Sequence, residues 1–261
     1  MHNAAFTALG IDAVYVPYAI PPERLSRAIE AVRALGVAGF NVTLPHKAAI
    51  ISLLTAVEPA ARAIGAVNTV VRDGEQLLGS NTDAEGLARA LLEAEVVLHG
   101  SKVVVLGAGG AARAAVVGLS RAGAAHIVVA ARRVPEAEAL VAALAPHCDG
   151  TELHASDMGT GLSRACLGCT LLIQASSATL GQTEAAQSFA SALPLPRLDR
   201  SAVVCDLVYQ PRRTAVLERA QGLGHKTVDG LGMLLHQGAL AFERFTGQPA
   251  PLSAMRTALG D

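Results

Sequence analysis

The stretch Val103-Val-Val-Leu106-Gly107-Ala108-Gly109-Gly110-Ala111-Ala112-Arg113 decides the fold of this chain. An apolar run feeds straight into a G-x-G-x-x-A turn, and an alanine-rich helical pattern follows. A strand that ends in such a turn and continues as a helix is the signature of a dinucleotide-binding βα unit. Glycine permits the tight turn and lets the backbone approach a pyrophosphate. The helix N-terminus adds free N–H groups and a dipole that favours an anion. The residues placed against the cofactor are therefore Gly107, Ala108, Gly109, Gly110 and Ala111.

The same rhythm continues on both sides of this turn. Strands are predicted at 102–106, 126–130, 170–174, 202–206 and 225–228, with helices at 110–122 and 135–145. This is the alternation of a Rossmann-like parallel sheet. Upstream, Ala13–Ile20 reads as a strand. Pro21-Pro22 then opens an amphipathic helix to about Leu35, since proline is tolerated in a first helical turn. Val37–Thr43 reads as a buried strand and His46–Leu54 as a helix. Asp73-Gly74 marks a hairpin between Val67–Arg72 and Gln76–Gly79. Thr82–Leu92 is predicted as a helix leading into a second domain, Leu193-Pro-Leu-Pro196 as a loop, and a last long helix as starting near Gly230. The class is α/β, in two domains.

Composition narrows the partners. With 261 residues, 51% of them hydrophobic, the chain can bury a large core. A net charge of −1 gives no global field for nucleic acid or an anionic membrane. The lack of Trp argues against stacking on bases. Cys166 and Cys169 have C-x-x-C spacing, but no second pair or nearby histidine completes a zinc site. Both read as buried small hydrophobes, and no metal is expected. The uncharged stretch Ala165–Thr183 is too polar and glycine-rich for a membrane span. No signal peptide is evident, so a cytoplasmic protein is expected, as monomer or homodimer.

Three further segments carry chemistry: Asn41-Val-Thr43-Leu-Pro45-His46-Lys47, Gly65-Ala-Val-Asn68-Thr and Gly79-Ser-Asn-Thr-Asp83. A lysine and an aspartate brought together can handle a proton, with Asn68 and Thr43 available to hold hydroxyl groups. Beside a nicotinamide site, this points to an alcohol–ketone oxidoreductase. Cofactor choice is read after the second strand, at Ala130-Ala-Arg132-Arg133. No acidic residue stands there to accept from a ribose 2′-hydroxyl, and two guanidinium groups suit a 2′-phosphate. NADP is expected.

Together with Asp206-Leu-Val-Tyr209-Gln-Pro-Arg-Arg-Thr214 and Gly230-Leu-Gly-Met233-Leu-Leu-His-Gln237, these segments resemble the shikimate dehydrogenase family, in order over nearly the whole chain. The resemblance implies NADP-dependent interconversion of 3-dehydroshikimate and shikimate. It implies a substrate domain formed by 1–83 plus 229–261, completed by the C-terminal helices, and a Rossmann-like NADP-binding domain over 84–228, with the active site in the cleft between them. Lys47 and Asp83 are implied as the catalytic pair. Thr43, Asn68, Asp83, Tyr209 and Gln237 are implied as substrate holders, and Gly230 and Met233 as neighbours of the cofactor. His46 is read as a neighbour of the lysine. A lysine of ordinary pKa is a poor base near neutral pH, so Asp83 is expected chiefly to orient substrate and lysine.

The chain departs from the family pattern in places. Glu136 stands where a second basic residue of the NADP clamp is often found, and Gln174-Ala-Ser-Ser-Ala-Thr-Leu-Gly181 replaces a pattern close to Asn-Ala-Thr. The family's N-terminal strand and Ser-x-Ser turn, which bind the substrate carboxylate, do not precede Met1 here. The expectation is a natural chain that starts further upstream, set against a chain that is short and is impaired or acts on something lacking that carboxylate. For the function, the alternatives are a quinate or aminoshikimate dehydrogenase of the same family, or a non-catalytic relative that binds NADP(H).

Overall fold

The computed structural model describes residues 1–260. It divides into two compact units, Met1–Gly86 with Leu235 onward, and Leu87–Leu234. Asp261, the last residue of the predicted segment 229–261, lies outside the described residues.

The larger unit is a parallel sheet of six strands: β5 (Lys102–Leu106), β6 (His126–Ala130), β7 (Glu152–Ser156), β8 (Leu171–Gln174), β9 (Val203–Asp206) and β10 (Lys226–Val228), in the order β10-β9-β8-β5-β6-β7. Covered on both faces, its central strands need continuous apolar runs rather than alternation. Val103–Leu106 and Leu171–Ile173 supply them, every residue buried. Val104 stands opposite both Val128 and Leu172, and its cluster takes in Leu162, Cys166, Cys169, Val204 and Leu217. Helices α5 (Gly110–Arg121), α6 (Val134–Leu144), α7 (Thr160–Ala165), α8 (Glu184–Ala192) and α9 (Ala215–Gly222) join the strands. The order reverses at β5, with β6 and β7 on one side and β8 to β10 on the other. That switch point is where a doubly wound sheet opens a crevice for a ligand.

The smaller unit holds β1 (Gly39–Asn41), β2 (Ala56–Val57), β3 (Thr69–Asp73) and β4 (Gln76–Ser80), ordered β1-β3-β4-β2. The hairpin β3–β4 closes with Asp73 opposite Gln76, so its two-residue loop is Gly74-Glu75, with Gly74 at φ 57°. Leu25 and Ile29 of α2 (Leu25–Ala34) pack with Val42, Ile50, Val67, Val70 and Leu77. A second cluster joins Ala5 and Phe6 of α1 (His2–Leu9) to Leu235, Ala239 and Phe242 of α10 (Leu231–Thr246) and Met255 of α11 (Leu252–Thr257). The unit boundaries fall inside α4 (Asp83–Glu93) and α10.

Some expectations need correction. Ala13–Ile20 forms no strand. A strand exists only where a neighbour completes its ladder; here Tyr15 bonds instead to the Asn3 side chain, and Val14, Val16 and Tyr18 are exposed. The segment predicted as a helix at His46–Leu54 is a set of turns ending in a 3-10 helix, Ala49–Leu53. The short strand β2, the edge strand β7 and the helices α1, α3 (Pro59–Ile64), α7, α8 and α9 were not foreseen. Among the described residues no helix is long and apolar enough to cross a membrane.

One close approach positions the site. A Cβ on Gly86 in α4 would stand 2.7 Å from the Gln237 backbone nitrogen and 2.9 Å from its Cα in α10. Alanine gains about 1 kcal/mol over glycine in a helix, but overpacking against backbone costs about 1–3 kcal/mol or more. Gly86→Ala is therefore expected to lower the unfolding free energy measured with urea. A stabilised variant would show that the two helices separate freely.

Candidate active site

The sheet of the smaller unit explains why three remote motifs meet. Strands β1 and β4 both run antiparallel to β3, with Asn41 opposite Thr69 and Thr69 opposite Ser80. The ends of β1 and β4 and the start of β3 therefore share one edge of the sheet. The segments after Asn41, before Thr69 and after Ser80 leave from that edge, and these are the three motifs. Backbone bonds continue the alignment beyond the strands: Val42 N–H donates to Asn68 O at 2.8 Å, Asn68 N–H to Ser80 O at 3.1 Å and Val67 N–H to Lys47 O at 2.8 Å.

Lys47 Nζ lies 2.7 Å from Asp83 Oδ2, the lysine side chain 22% exposed and the aspartate 8%. The other carboxylate oxygen, Oδ1, accepts from Asn68 Nδ2 at 2.8 Å. Asn68 is buried and fully used: Oδ1 accepts from Thr82 N–H at 2.8 Å and from Thr69 Oγ1 at 2.9 Å, while Nδ2 also reaches Thr82 Oγ1 and, at 3.3 Å, Gln237 Oε1. The Asn81 side chain accepts from Asp83 N–H at 3.0 Å and donates to Ala66 O at 2.9 Å, which caps α4 and fixes where Asp83 points. The buried side chains of Asn68, Asn81 and Asp83 are thus satisfied, as burial demands. The result is an ammonium group held at partly open ground by a carboxylate whose own position is locked from behind.

Of the residues predicted for catalysis and substrate, Lys47, Asn68, Asp83 and Gln237 come together. Thr43 is exposed on the loop after β1, where its carbonyl accepts from His46 N–H at 2.9 Å. His46 Nε2 sits 2.7 Å from Ile20 O. Tyr209 belongs to the larger unit and is exposed. Asn81, Thr82, Thr69 and Asn41 were missed as supports. Asn41 Nδ2 donates to Asn68 O and its Oδ1 accepts from Tyr15 OH, both near 3 Å. The uninterrupted polar run Ser80–Asp83, all of it buried, was the available signal.

In the larger unit the glycine turn lies at the end of β5. Gly107 has φ 113°, and a Cβ there would press on Ser176 Cβ at 3.1 Å, so the fold itself demands glycine. Gly109 and Gly110 differ: a Cβ on either meets no atom within 4 Å. The chain's own packing does not require them, and the open ground over the N-terminus of α5 is what a phosphate bound to its free N–H groups needs. Arg132 and Arg133 follow β6 and are exposed, with Arg133 Nη2 2.6 Å from Glu136 Oε1. Gly230 packs its backbone on the Leu207–Val208 peptide, and Met233 is half-buried in the first turn of α10. Burial raises the thiols of Cys166 to about 11 and of Cys169 to about 12, which leaves both unreactive at neutral pH. Among the described residues, no group of His, Cys, Asp and Glu is arranged to hold a metal ion.

A doubly wound sheet with a glycine turn, in one chain with a locked lysine–carboxylate pair, defines a dinucleotide-dependent oxidoreductase. Residues 1–70 match the shikimate dehydrogenase substrate binding domain, and residues 230–259 the shikimate 5′-dehydrogenase C-terminal domain. The shikimate dehydrogenase (NADP(+)) of Geobacter metallireducens is 44% identical over 258 residues, covering 98% of this chain and 88% of the relative. A shikimate 5-dehydrogenase from Listeria monocytogenes, solved with shikimate and NAD, superposes with a TM-score of 0.89 at 33% identity, covering 99% of this chain and 90% of that one. The 5-ketofructose reductase of a Gluconobacter strain, solved without ligand, has a TM-score of 0.87 at 34% identity, covering 99% and 91%. The chain belongs to the shikimate dehydrogenase family.

Asn68→Ala strands an oxygen of Asp83 and the N–H of Thr82, and is expected to cost about 2–4 kcal/mol of stability in urea unfolding. Asn68→Asp would set a second carboxylate against Asp83. Their repulsion raises a carboxyl pKa in the folded state, so this variant should lose stability as pH rises from 5 to 8 relative to the parent. A pH-independent difference would contradict the packing described.

Proposed function

We propose that the chain is an NADP-dependent shikimate dehydrogenase, which reduces 3-dehydroshikimate to shikimate and runs the reaction in reverse. The observation that carries this reading is the Lys47–Asp83 pair bonded through Asn68 to Gln237, in a chain that belongs to this family. When bound, NADPH supplies the hydride that becomes the new C–H bond. The proton is the chain's part. Lys47 Nζ donates it to the carbonyl oxygen as that oxygen becomes the alcohol, and takes it back in the oxidation direction. Asp83 holds the ammonium group in place and accepts from a neighbouring substrate hydroxyl. Asn68, Gln237, Thr43 and Tyr209 hold the remaining polar groups of the ring.

The residues of the larger unit suit the cofactor. Gly107 to Ala111 take the pyrophosphate, Gly230 and Met233 border the nicotinamide side, and Arg132 with Arg133 take the 2′-phosphate. In this chain Glu136 competes for Arg133. The buried free thiols support a reducing, cytoplasmic setting. A quinate dehydrogenase from Corynebacterium glutamicum shares this fold, so quinate belongs in the assay as a second polyol.

The test follows nicotinamide absorbance with NADP+ and either shikimate or quinate. Turnover of shikimate is expected, and Lys47→Ala should lower kcat by about 10²–10⁴-fold while NADP+ still binds. Turnover of quinate alone would sink the substrate assignment. Glu136→Gln frees Arg133, and the preference for NADP+ over NAD+ in kcat/KM should rise about two- to fivefold. An unchanged ratio would remove Arg133 from the 2′-phosphate site.

A further inference from the structure

Asp206, at the end of β9, is fully buried, and no cation faces its carboxylate among its hydrogen-bond partners. Oδ2 accepts from Thr214 Oγ1 at 2.7 Å, and Oδ1 from Val208 N–H at 3.0 Å and Thr179 Oγ1 at 3.2 Å. Thr179 Oγ1 in turn accepts from Gln174 Nε2 at 3.0 Å. The same Gln174 amide bonds the Ser176 N–H, hydroxyl and carbonyl, all within 2.9 Å. Thr214 also caps α9 by accepting from Leu217 N–H. One buried carboxylate therefore ties together the turn after β8, the peptide that leads to Tyr209, and the start of α9. A carboxylate without an ionic partner is an expensive way to hold loops that an apolar side chain would fill. The expense makes sense where loop position, rather than stability, is what matters.

These loops lie at the C-terminal ends of β8 and β9, on the opposite side of the switch point from Arg132 and Arg133. A dinucleotide laid across that point puts its adenosine half over β6 and its nicotinamide half over β8 and β9. Gly107 touches Ser176 on one side, and Gly230 rests on Leu207 and Val208 on the other, so the network is keyed to both neighbouring loops. On the reading that this chain uses NADP(H), we infer that Asp206, acting through Thr179 and the Val208 N–H, is a positioning residue for the nicotinamide half of the cofactor. The adenosine half is held independently of it.

The test compares the affinity of the full chain for NADP+ with that for adenosine 2′,5′-bisphosphate, a fragment that lacks the nicotinamide half. Asp206→Asn and Thr179→Val are expected to weaken NADP+ by about tenfold, the worth of one bond to a charged group. Binding of the fragment should change by less than about twofold, and Thr179→Ser should restore NADP+ binding. Equal losses for both ligands would mean a merely structural role and overturn the inference, as would no loss for either. If Asp206→Asn does not fold, the two Thr179 variants decide. A parent chain that binds NADP+ but does not oxidise shikimate refutes the proposed activity alone, and the affinity ratio still stands as the test. A parent that binds no NADP+ overturns both.

Discussion

A carboxylate taken out of water must be met by donors or it costs several kcal/mol, and among the described residues Asp83 and Asp206 are buried. In the smaller unit Asp83 is answered by Lys47 and by the amide of Asn68. Those partners come from segments far apart in sequence, so the requirement draws the loop after β1, the start of β3 and the start of α4 to one point. The sheet register then does the rest, because both antiparallel neighbours of β3 present their ends on the same edge. In the larger unit Asp206 is answered by two hydroxyls and a backbone N–H. The two solutions differ in a way that matters. Asp83 faces a charged group at partly open ground, whereas Asp206 is sealed. Burial acts against its ionisation while its hydrogen bonds act for it.

Close backbone approach is the second constraint. Gly86 against Gln237, Gly107 against Ser176 and Gly230 against Leu207 each occupy ground where a methyl group would collide with a neighbour. They sit beside the polar groups discussed above, so the geometry of those groups depends on absent side chains as much as on present ones. Gly109 and Gly110 complete the picture by contrast. Free of any such contact, they leave open the surface over the N-terminus of α5, where the helix dipole favours an anion.

The fold's outline was legible because its strongest signals are local. The apolar runs at 102–106 and 126–130 became strands with those bounds, the glycine turn opened α5, and the turn residues at 73–75 closed a hairpin. Ala13–Ile20 failed for a non-local reason. Its alternation is genuine, but a strand is a pairing, and no neighbour completes the ladder. At His46–Leu54 an apolar run of ordinary helical composition is bent into turns and a 3-10 helix by the bonds it makes to Val67 and to the core around Ile50.

The sequence by itself determined which residue types stand at the candidate site and the order in which their motifs occur, because glycine turns, capping runs and apolar periods act over a few residues. Lys47, Asn68 and Asp83 were readable in that sense, and Gln237 only through the family resemblance. What joins them was not. That Asn68 donates to Asp83, that Thr69, Thr82 and Asn81 hold those two from behind, and that Asp206 reaches Thr179 and Thr214 are outcomes of strand register and helix packing. A hydrogen bond is decided by tenths of an ångström between side chains far apart in the chain, and only the tertiary structure sets that distance.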